Sequence, residues 1–351
     1  MAHPEAEPEL NHLIRTTWWT HSLGLSLPSG ALPAAMLHDV LERSEVTPAE
    51  LSIFAPDVRG LVHALTDGAY AHEHERQVAQ RFAARELSPP AALIRAMSKL
   101  DNLVDHGRRR EATMDPYAAW AFPVFETAWD ASEGARGTRQ SASELYEAAM
   151  ALAPDETGVA CPPGLIGIGR PVEDSLGCVL DAAHFAAEHH RAQRRKSRAD
   201  DEAHQIPYIN HPIRVAALLV HDGGVTDPVA IQAALLHDTI EDTIAKPHQL
   251  ERRFGEAVMA TVMAVTDDKS LPKAERKRLQ IDHAPHMSPA AALVKLADKI
   301  DNLRDLGVAP PDWPLERIRG YFDWAEAVVS SLPTVSPVLL RAFEESMRAR
   351  P

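Results

Sequence analysis

Cysteine is nearly absent from this sequence: only Cys161 and Cys178 occur among 351 residues. Two thiols make no disulfide framework, and the usage fits a reducing cytoplasm. Long apolar runs are missing too, so no bilayer-spanning segment and no membrane partner are expected. The opening stretch MAHPEAEPELNH is polar and proline-bearing and does not read as a signal peptide. Basic charge is in deficit: 36 Lys and Arg stand against 50 Asp and Glu, a net charge of −14. That excludes broad, sequence-independent binding to nucleic acid, which needs a basic surface. It leaves room for a small anionic substrate held in a local basic pocket. Alternation of β-branched residues at period two is also missing, which removes half-buried strands from the expectation.

What is present suits a soluble globular chain, with 45% hydrophobic and 25% charged residues. Its length is comfortable for two domains. An internal repeat supports that division. At an offset of 200 residues, Val62–Asp67 (VHALTD) matches Val262–Asp267 (VMAVTD), and Ser88-Pro89 matches Ser288-Pro289. Leu100–Leu103 (LDNL) matches Ile300–Leu303 (IDNL), and Gly107 matches Gly307. Upstream the offset drifts by one, pairing Met36–Asp39 (MLHD) with Leu235–Asp238 (LLHD). We expect a degenerate domain over 10–135, a Pro/Gly-rich linker over 151–173 and a second domain of the same type over 174–350.

Both domains read as all-α helical bundles. Asp174 to Arg195 carries a helical stripe of Leu176, Val179, Leu180 and Ala183. His211-Pro212 opens the next helix and Gly223-Gly224 closes it. Thr226-Asp227-Pro228 starts a third, with a capping side chain before a first-turn proline. Further helices are expected near 247–266, 273–283, 288–306, 314–331 and 335–349.

The second half holds the pattern H…HD…D, formed by His211, His237-Asp238 and Asp298. Two imidazoles and two carboxylates make a mixed N/O donor set that suits Mn²⁺, Fe²⁺ or Zn²⁺ better than Ca²⁺. The lack of cysteine ligands argues against a structural zinc. His237 and Glu241, like Asp238 and Asp242, are four apart and so share a helix face. Glu241 and Asp242 are therefore placed to orient a metal-activated water and to shuttle its proton. Asp298 and Asn302 repeat the spacing. A single His-Asp dipeptide would signify little among 18 histidines. His184, His189, His190, His204, His221, His248, His283 and His286 are assigned to solvated faces or ordinary packing.

The motifs around these residues are long and in order: RRK at 194–196, YINHPIRVA at 208–216, QAALLHDTIEDT at 232–243, VTDDKSLPKAERKRLQ at 265–280, KLADKIDNLRDL at 295–306 and YFDWA at 321–325. Through them, residues 174–332 resemble the hydrolase domain of the RelA/SpoT proteins, and among these the small stand-alone alarmone hydrolases of the metazoan SpoT-homologue type. The resemblance implies an all-helical HD fold with a single Mn²⁺. It implies hydrolysis of the 3′-diphosphate of ppGpp or pppGpp, giving GDP or GTP and pyrophosphate. It makes His211, His237, Asp238 and Asp298 the metal ligands and Glu241 and Asp242 the catalytic pair. It makes Arg195, Lys196, Lys273, Asn302, Arg317 and Tyr321 the substrate contacts. The residues agree, since a bisphosphorylated nucleoside needs cations around the metal and a flat partner for its base. ERKR at 275–278 is expected on a solvated helix face, with Lys273 before it the exception. Two other substrates suit the same pocket, (p)ppApp and the ribose 2′-phosphate of NADPH. A binding or regulatory role, toxin-neutralising or alarmone-sensing, is the alternative of another class. Nothing resembles the mixed α/β synthetase domain of the long RelA/SpoT proteins.

The first half keeps part of the constellation. His21 is matched to His211, His38-Asp39 to His237-Asp238, Glu42 to Glu241 and Asn102 to Asn302. Ser98 replaces Asp298, Arg43 replaces Asp242 and Glu73 replaces Lys273. Three ligands can still hold a metal. The expectation is a pseudo-hydrolase domain that packs, dimerises or regulates. Trp18-Trp19, Trp120 and Trp129 are assigned to its core, with a partner surface, such as a homo-oligomer's, as the alternative.

Overall fold

The computed structural model describes residues 9–23, 25–70, 72–109, 116–138, 140–151, 175–195, 206–308, 310–333 and 336–351. The expected linker, apart from Ala151, and Lys196 lie outside these residues. The chain divides into two compact units, one of Glu9–Leu180 and one that includes Asp181–Pro351. Secondary structure in both is helical, with no named strand among the described residues. No helix among them is long and apolar enough to cross a membrane.

In the first unit the long helix Pro89–Arg109 is the spine, packed on Glu9–Ser22 and Pro116–Ala131. Trp18, Met97, Leu100, Phe125 and Trp129 are buried around it. Each such side chain contributes on the order of 1.5–3 kcal/mol by leaving water. Trp18 and Trp129 are thus core residues, as expected. The unit runs past residue 135, because Ala142, Leu145 and Ala149 of the helix Ala142–Ala151 complete the same cluster.

In the second unit the corresponding spine is Pro289–Val308, flanked by Asn210–Ala217, Pro228–Leu236, Glu256–Val265, Leu315–Ser331 and Pro337–Met347. The Asp227 carboxylate accepts the Val229 amide and Pro228 fills the first turn, so this helix starts where the sequence places it. The helix from Asn210 ends through a wider turn in which the Gly223 amide bonds the Leu218 carbonyl, and Gly224 follows at φ 63°. One expectation needs correction. The span 247–266 is two helices, Pro247–Phe254 and Glu256–Val265. Gly255 at φ 88° breaks it, a backbone state that side-chain-bearing residues rarely adopt.

Candidate metal centre and substrate cleft

The His237-Asp238 dipeptide sits at a break rather than within one helix. Pro228–Leu236 ends, Asp238 adopts φ −96° and ψ −5°, and a single turn, Thr239–Asp242, follows. The His237 Nδ1–H donates back to the Ala234 carbonyl at 2.8 Å, which turns its Nε2 inward. The four-residue spacings therefore act across a kink. The Asp242 amide still bonds the Asp238 carbonyl at 2.8 Å.

His211, on Asn210–Ala217, is 1% exposed and faces His237 with 3.2 Å between their Nε2 atoms. Asp238 Oδ2 lies 3.1 Å from His237 Nε2 and 3.6 Å from His211 Nε2. Asp298 Oδ1, from the spine helix, lies 3.3 Å from His211 Nε2 and 3.8 Å from His237 Nε2. The four residues named from sequence thus converge on one point. An outer layer holds them there. The His211 Nδ1–H donates to Asp301 Oδ2 at 2.6 Å, and Asp301 also receives Arg214 at 2.7 and 2.9 Å. Lys299 Nζ and Asn302 Nδ2 donate to the two oxygens of Asp298 at 3.1 and 2.5 Å.

This donor set fits a divalent cation. Both Nδ1 protons are committed outward, so two bare Nε2 lone pairs face each other between two carboxylates. That arrangement is repulsive unless positive charge sits among them. The same demand appears in the acidities. Burial pulls the His237 imidazolium down, but Asp238 and Asp298 outweigh it and raise it to about 9. Burial pushes Asp238 up, yet His237 and His211 hold it well below the usual carboxylate range.

Beside the cluster stand three oxygen-bearing groups. The Tyr208 hydroxyl donates to Asp238 Oδ2 at 2.6 Å and lies 3.3 Å from Asp242 Oδ2. Asp242 also pairs with Lys269. Glu241 Oε2 accepts the Asp267 amide at 3.0 Å. Burial, then the neighbouring Asp238, raises the Glu241 carboxyl to about 7 despite that bond. A carboxyl poised near neutrality is suited to take or return a proton.

A cleft of about 160 Å³ opens next to these groups. Asp267, Lys273, Arg276, Lys277 and Arg317 line it, with Trp313, Tyr321 and Trp324 as flat walls. The Arg317 guanidinium covers the Trp313 ring at 3.8 Å. Lys277 Nζ is 4.6 Å from the Trp324 centroid, and burial together with Lys273, Lys299 and Arg317 lowers its ammonium pKa. So many cations around one opening favour an anionic occupant. Lys299 joins cleft to cluster, 4.3 Å over Trp324 and bonded to Asp298.

Comparison with known proteins gives one family. A model of the HD domain matches residues 182–318. The guanosine-3′,5′-bis(diphosphate) 3′-pyrophosphohydrolase MESH1 of Homo sapiens is 52% identical over 49% of this chain and 94% of its own length. The MESH1 of Drosophila melanogaster is 45% identical over 49% of this chain and 93% of its own. The chain belongs to the MESH1 family of HD-domain proteins. A solved structure of a metazoan SpoT orthologue that hydrolyses ppGpp is 45% identical, with a TM-score of 0.47 over 49% of this chain and 95% of that one.

Within the MESH1-like half, the predicted contacts fall into separate places. Lys273, Arg317 and Tyr321 line the cleft. Asn302 and Arg195 lie behind the cluster: Arg195 donates to Asn302 Oδ1 at 2.8 Å and to Asp305 at 3.1 Å. Arg195 is thus held by protein acceptors at the back of His211 rather than in the cleft. ERKR is only partly solvated. Arg276 and Lys277 line the cleft, whereas Arg278 pairs with Glu275 and Asp282. Five contributors were not singled out from sequence: Tyr208, Asp301, Lys299, Trp313 and Trp324. All but Trp313 sit within quoted motifs. The tryptophans gave no periodic signal.

In the first unit the histidine facing His38 is His12, not His21. His12 precedes His38 by the 26 residues that separate His211 from His237. His21 lies in the last turn of Glu9–Ser22, nine residues and so about 13 Å further along the helix axis. The rings of His12 and His38 are 5.2 Å apart at 66°, against 5.1 Å at 65° for His211 and His237. His12 Nδ1 bonds Asp101 at 2.7 Å, Arg15 Nε bonds Asp101 at 2.7 Å, and His38 Nδ1 bonds the Ala35 carbonyl at 2.8 Å. Glu42 accepts the Asp67 amide at 2.5 Å, as Glu241 accepts that of Asp267. Tyr117 and Trp120 pair at 5.2 Å and 72°, as Tyr321 and Trp324 do at 5.3 Å and 72°. Ser98 and Arg43 occupy the places expected of them. Ser98 Oγ lies 3.2 and 3.1 Å from the two Nε2 atoms, and Arg43 Nε is 3.2 Å from Asp39 Oδ2.

Proposed function

We propose that the second unit hydrolyses the 3′-diphosphate of guanosine 3′,5′-bis(diphosphate), or of its 5′-triphosphate form, releasing pyrophosphate and GDP or GTP. One observation carries this: the four-donor cluster opens, through Lys299 and Glu241, onto a cleft walled by cations and aromatic rings. The family supports it, because its relatives carry that activity in their names.

His211, His237, Asp238 and Asp298 would hold the cation, with Mn²⁺ as our choice. Such an ion supplies Lewis acidity to the phosphoryl group and to the water that attacks it. The remaining steps belong to the protein. Glu241, near neutrality in its buried position, takes the proton of the attacking water, and Asp242 aligns that water across from the leaving group. Tyr208 keeps Asp238 and Asp242 in register. Lys273, Lys277 and Arg317 bind phosphate oxygens. Trp313, Tyr321 and Trp324 offer the base a stacking surface. Asn302 and Arg195 orient Asp298 and His211 from behind. We take the first unit to be a degenerate copy of the same domain, joined by the Pro/Gly-rich segment, with no hydrolytic role.

The test is direct. The full chain with Mn²⁺ is incubated separately with ppGpp, ppApp and NADPH, and the products are resolved by anion exchange beside an Asp238→Ala variant. GDP and pyrophosphate from ppGpp, lost in the variant, are expected. Turnover confined to ppApp or NADPH would replace the substrate and keep the chemistry. No turnover of any of the three by metal-loaded protein would refute the proposal.

A further inference from the structure

We infer that the first unit carries a second divalent-cation site, built from His12, His38 and Asp39. One donor atom from each of these three lies within 4.8 Å of the others. His12 Nδ1 must carry its proton, because it faces the Asp101 carboxylate, and His38 Nδ1 must do so because it faces a carbonyl. Both Nε2 atoms therefore present lone pairs, 3.2 and 3.1 Å from the Ser98 hydroxyl. That hydroxyl has one proton and can satisfy one of them. The other lone pair is left facing an oxygen in a part-buried place, a hydrogen bond left unmade. A cation accepting both nitrogens removes the conflict and leaves Ser98 free to turn its own oxygen lone pair inward. Asp39 completes the set, with Oδ1 3.4 Å from His38 Nε2 and Oδ2 4.0 Å from His12 Nε2.

The outer layer is what makes this a built site rather than a chance group. Asp101 is 2% exposed and receives His12, Arg15 and Trp19 together. Partners of this kind fix imidazole orientation and strengthen the ligand. Two nitrogens and one carboxylate, with positions left for water, suit Zn²⁺ or Co²⁺. Affinity falls below that of the four-ligand centre for two reasons. A serine stands where the fourth carboxylate would be, and Arg43 competes for Asp39. The inference rests on the geometry of the first unit alone and stands whether or not the second unit hydrolyses ppGpp.

The full chain is stripped with chelator, reloaded with Zn²⁺ or Co²⁺, freed of excess metal and analysed by elemental mass spectrometry. Two ions per chain are expected. A His237→Ala/Asp238→Ala variant should keep one, and a His12→Ala variant should also keep one. With Co²⁺, the ion kept by the His237→Ala/Asp238→Ala variant should show a ligand-field spectrum that disappears when His38→Ala is added. If the His12→Ala chain does not fold, Ser98→Asp serves instead and should tighten the weaker ion at least tenfold by calorimetry. One ion in the wild type with none left in the His237→Ala/Asp238→Ala variant overturns the inference, as does no change of affinity in Ser98→Asp.

Discussion

Lys299 in the second unit bonds Asp298 at 3.1 Å; Lys99 in the first has Ser98 as its sequence neighbour instead. Both ammonium groups lie over a tryptophan, at 4.3 Å from Trp324 and 4.7 Å from Trp120. Burial lowers the pKa of each. For Lys299, Asp298 outweighs burial and holds the ammonium above its usual range. For Lys99, burial and Arg95 drive it down to about 7. One side chain thus sets the charge of the next residue as well as the fourth ligand position. Two units that place histidine pairs of the same geometry at their centres differ there by a carboxylate and by its hold on the neighbouring ammonium.

The comparison can be broken in several places. The largest effect belongs to the inner ligands: Asp298→Ser, which gives the second unit the serine of the first, should lower ppGpp turnover by at least ~10³-fold, the weight of several kcal/mol of lost charge stabilisation. Steady-state rates in saturating Mn²⁺ check this, and a loss under tenfold would mean the carboxylate is not a ligand. Next comes the base. Glu241→Gln should cost roughly 10²-fold or more in kcat, whereas Glu42→Gln should leave turnover unchanged. Equal effects would remove the functional asymmetry of the two units. Tyr208→Phe deletes the 2.6 Å bond to Asp238 and should cost about tenfold in metal affinity or rate, the scale expected for an outer-layer partner. Arg317→Ala should act on KM more than kcat, by about tenfold, since it loses a phosphate contact away from the reacting water.

The smallest effect is one of stability. An unfolded lysine keeps its proton up to about 10.5, and folded Lys99 only up to about 7. Between those values the unfolded chain binds the extra proton, so the stability of the first unit should rise with pH there. Lys99→Met should flatten that rise in thermal melts of the full chain. An unaltered slope would show that Lys99 is charged when folded.

How much of this could be read from residues follows from how each signal works. The convergence of His211, His237, Asp238 and Asp298 was legible because few side chains bind a divalent ion and the motifs carrying these four are long. Glu241 and Asp242 were legible from spacing, although a kink rather than one helix face brings them round. Tyr208 was not, because a phenol that supports a ligand looks like any half-buried tyrosine until its hydroxyl is placed. Trp313 and Trp324 act through stacking on Arg317, Lys277 and Lys299, which has no sequence period. Arg195 was assigned to the substrate through the resemblance, and its partners Asp305 and Asn302 became visible only in the fold. His12 was passed over for His21, although the 26-residue spacing would have chosen it. The break at Gly255 inside an apolar stretch was hidden because an isolated glycine is tolerated in helices as often as it ends them.

Asp101 and Asp301 each gather a histidine and an arginine, and Asp101 and Arg15 are 2% and 6% exposed. Removing such an aspartate would strand a buried guanidinium, at about 3–5 kcal/mol. Dropping Asp298 leaves Lys299 without its carboxylate, but a buried ammonium can shed its proton, which a guanidinium cannot. On our proposal that the first unit is a degenerate copy, its decay has a direction: the groups placed to touch a cation can drift, while those that stand behind them are kept by folding itself. Such a copy would still carry the mould of its centre, a short mutational walk from regaining its fourth ligand.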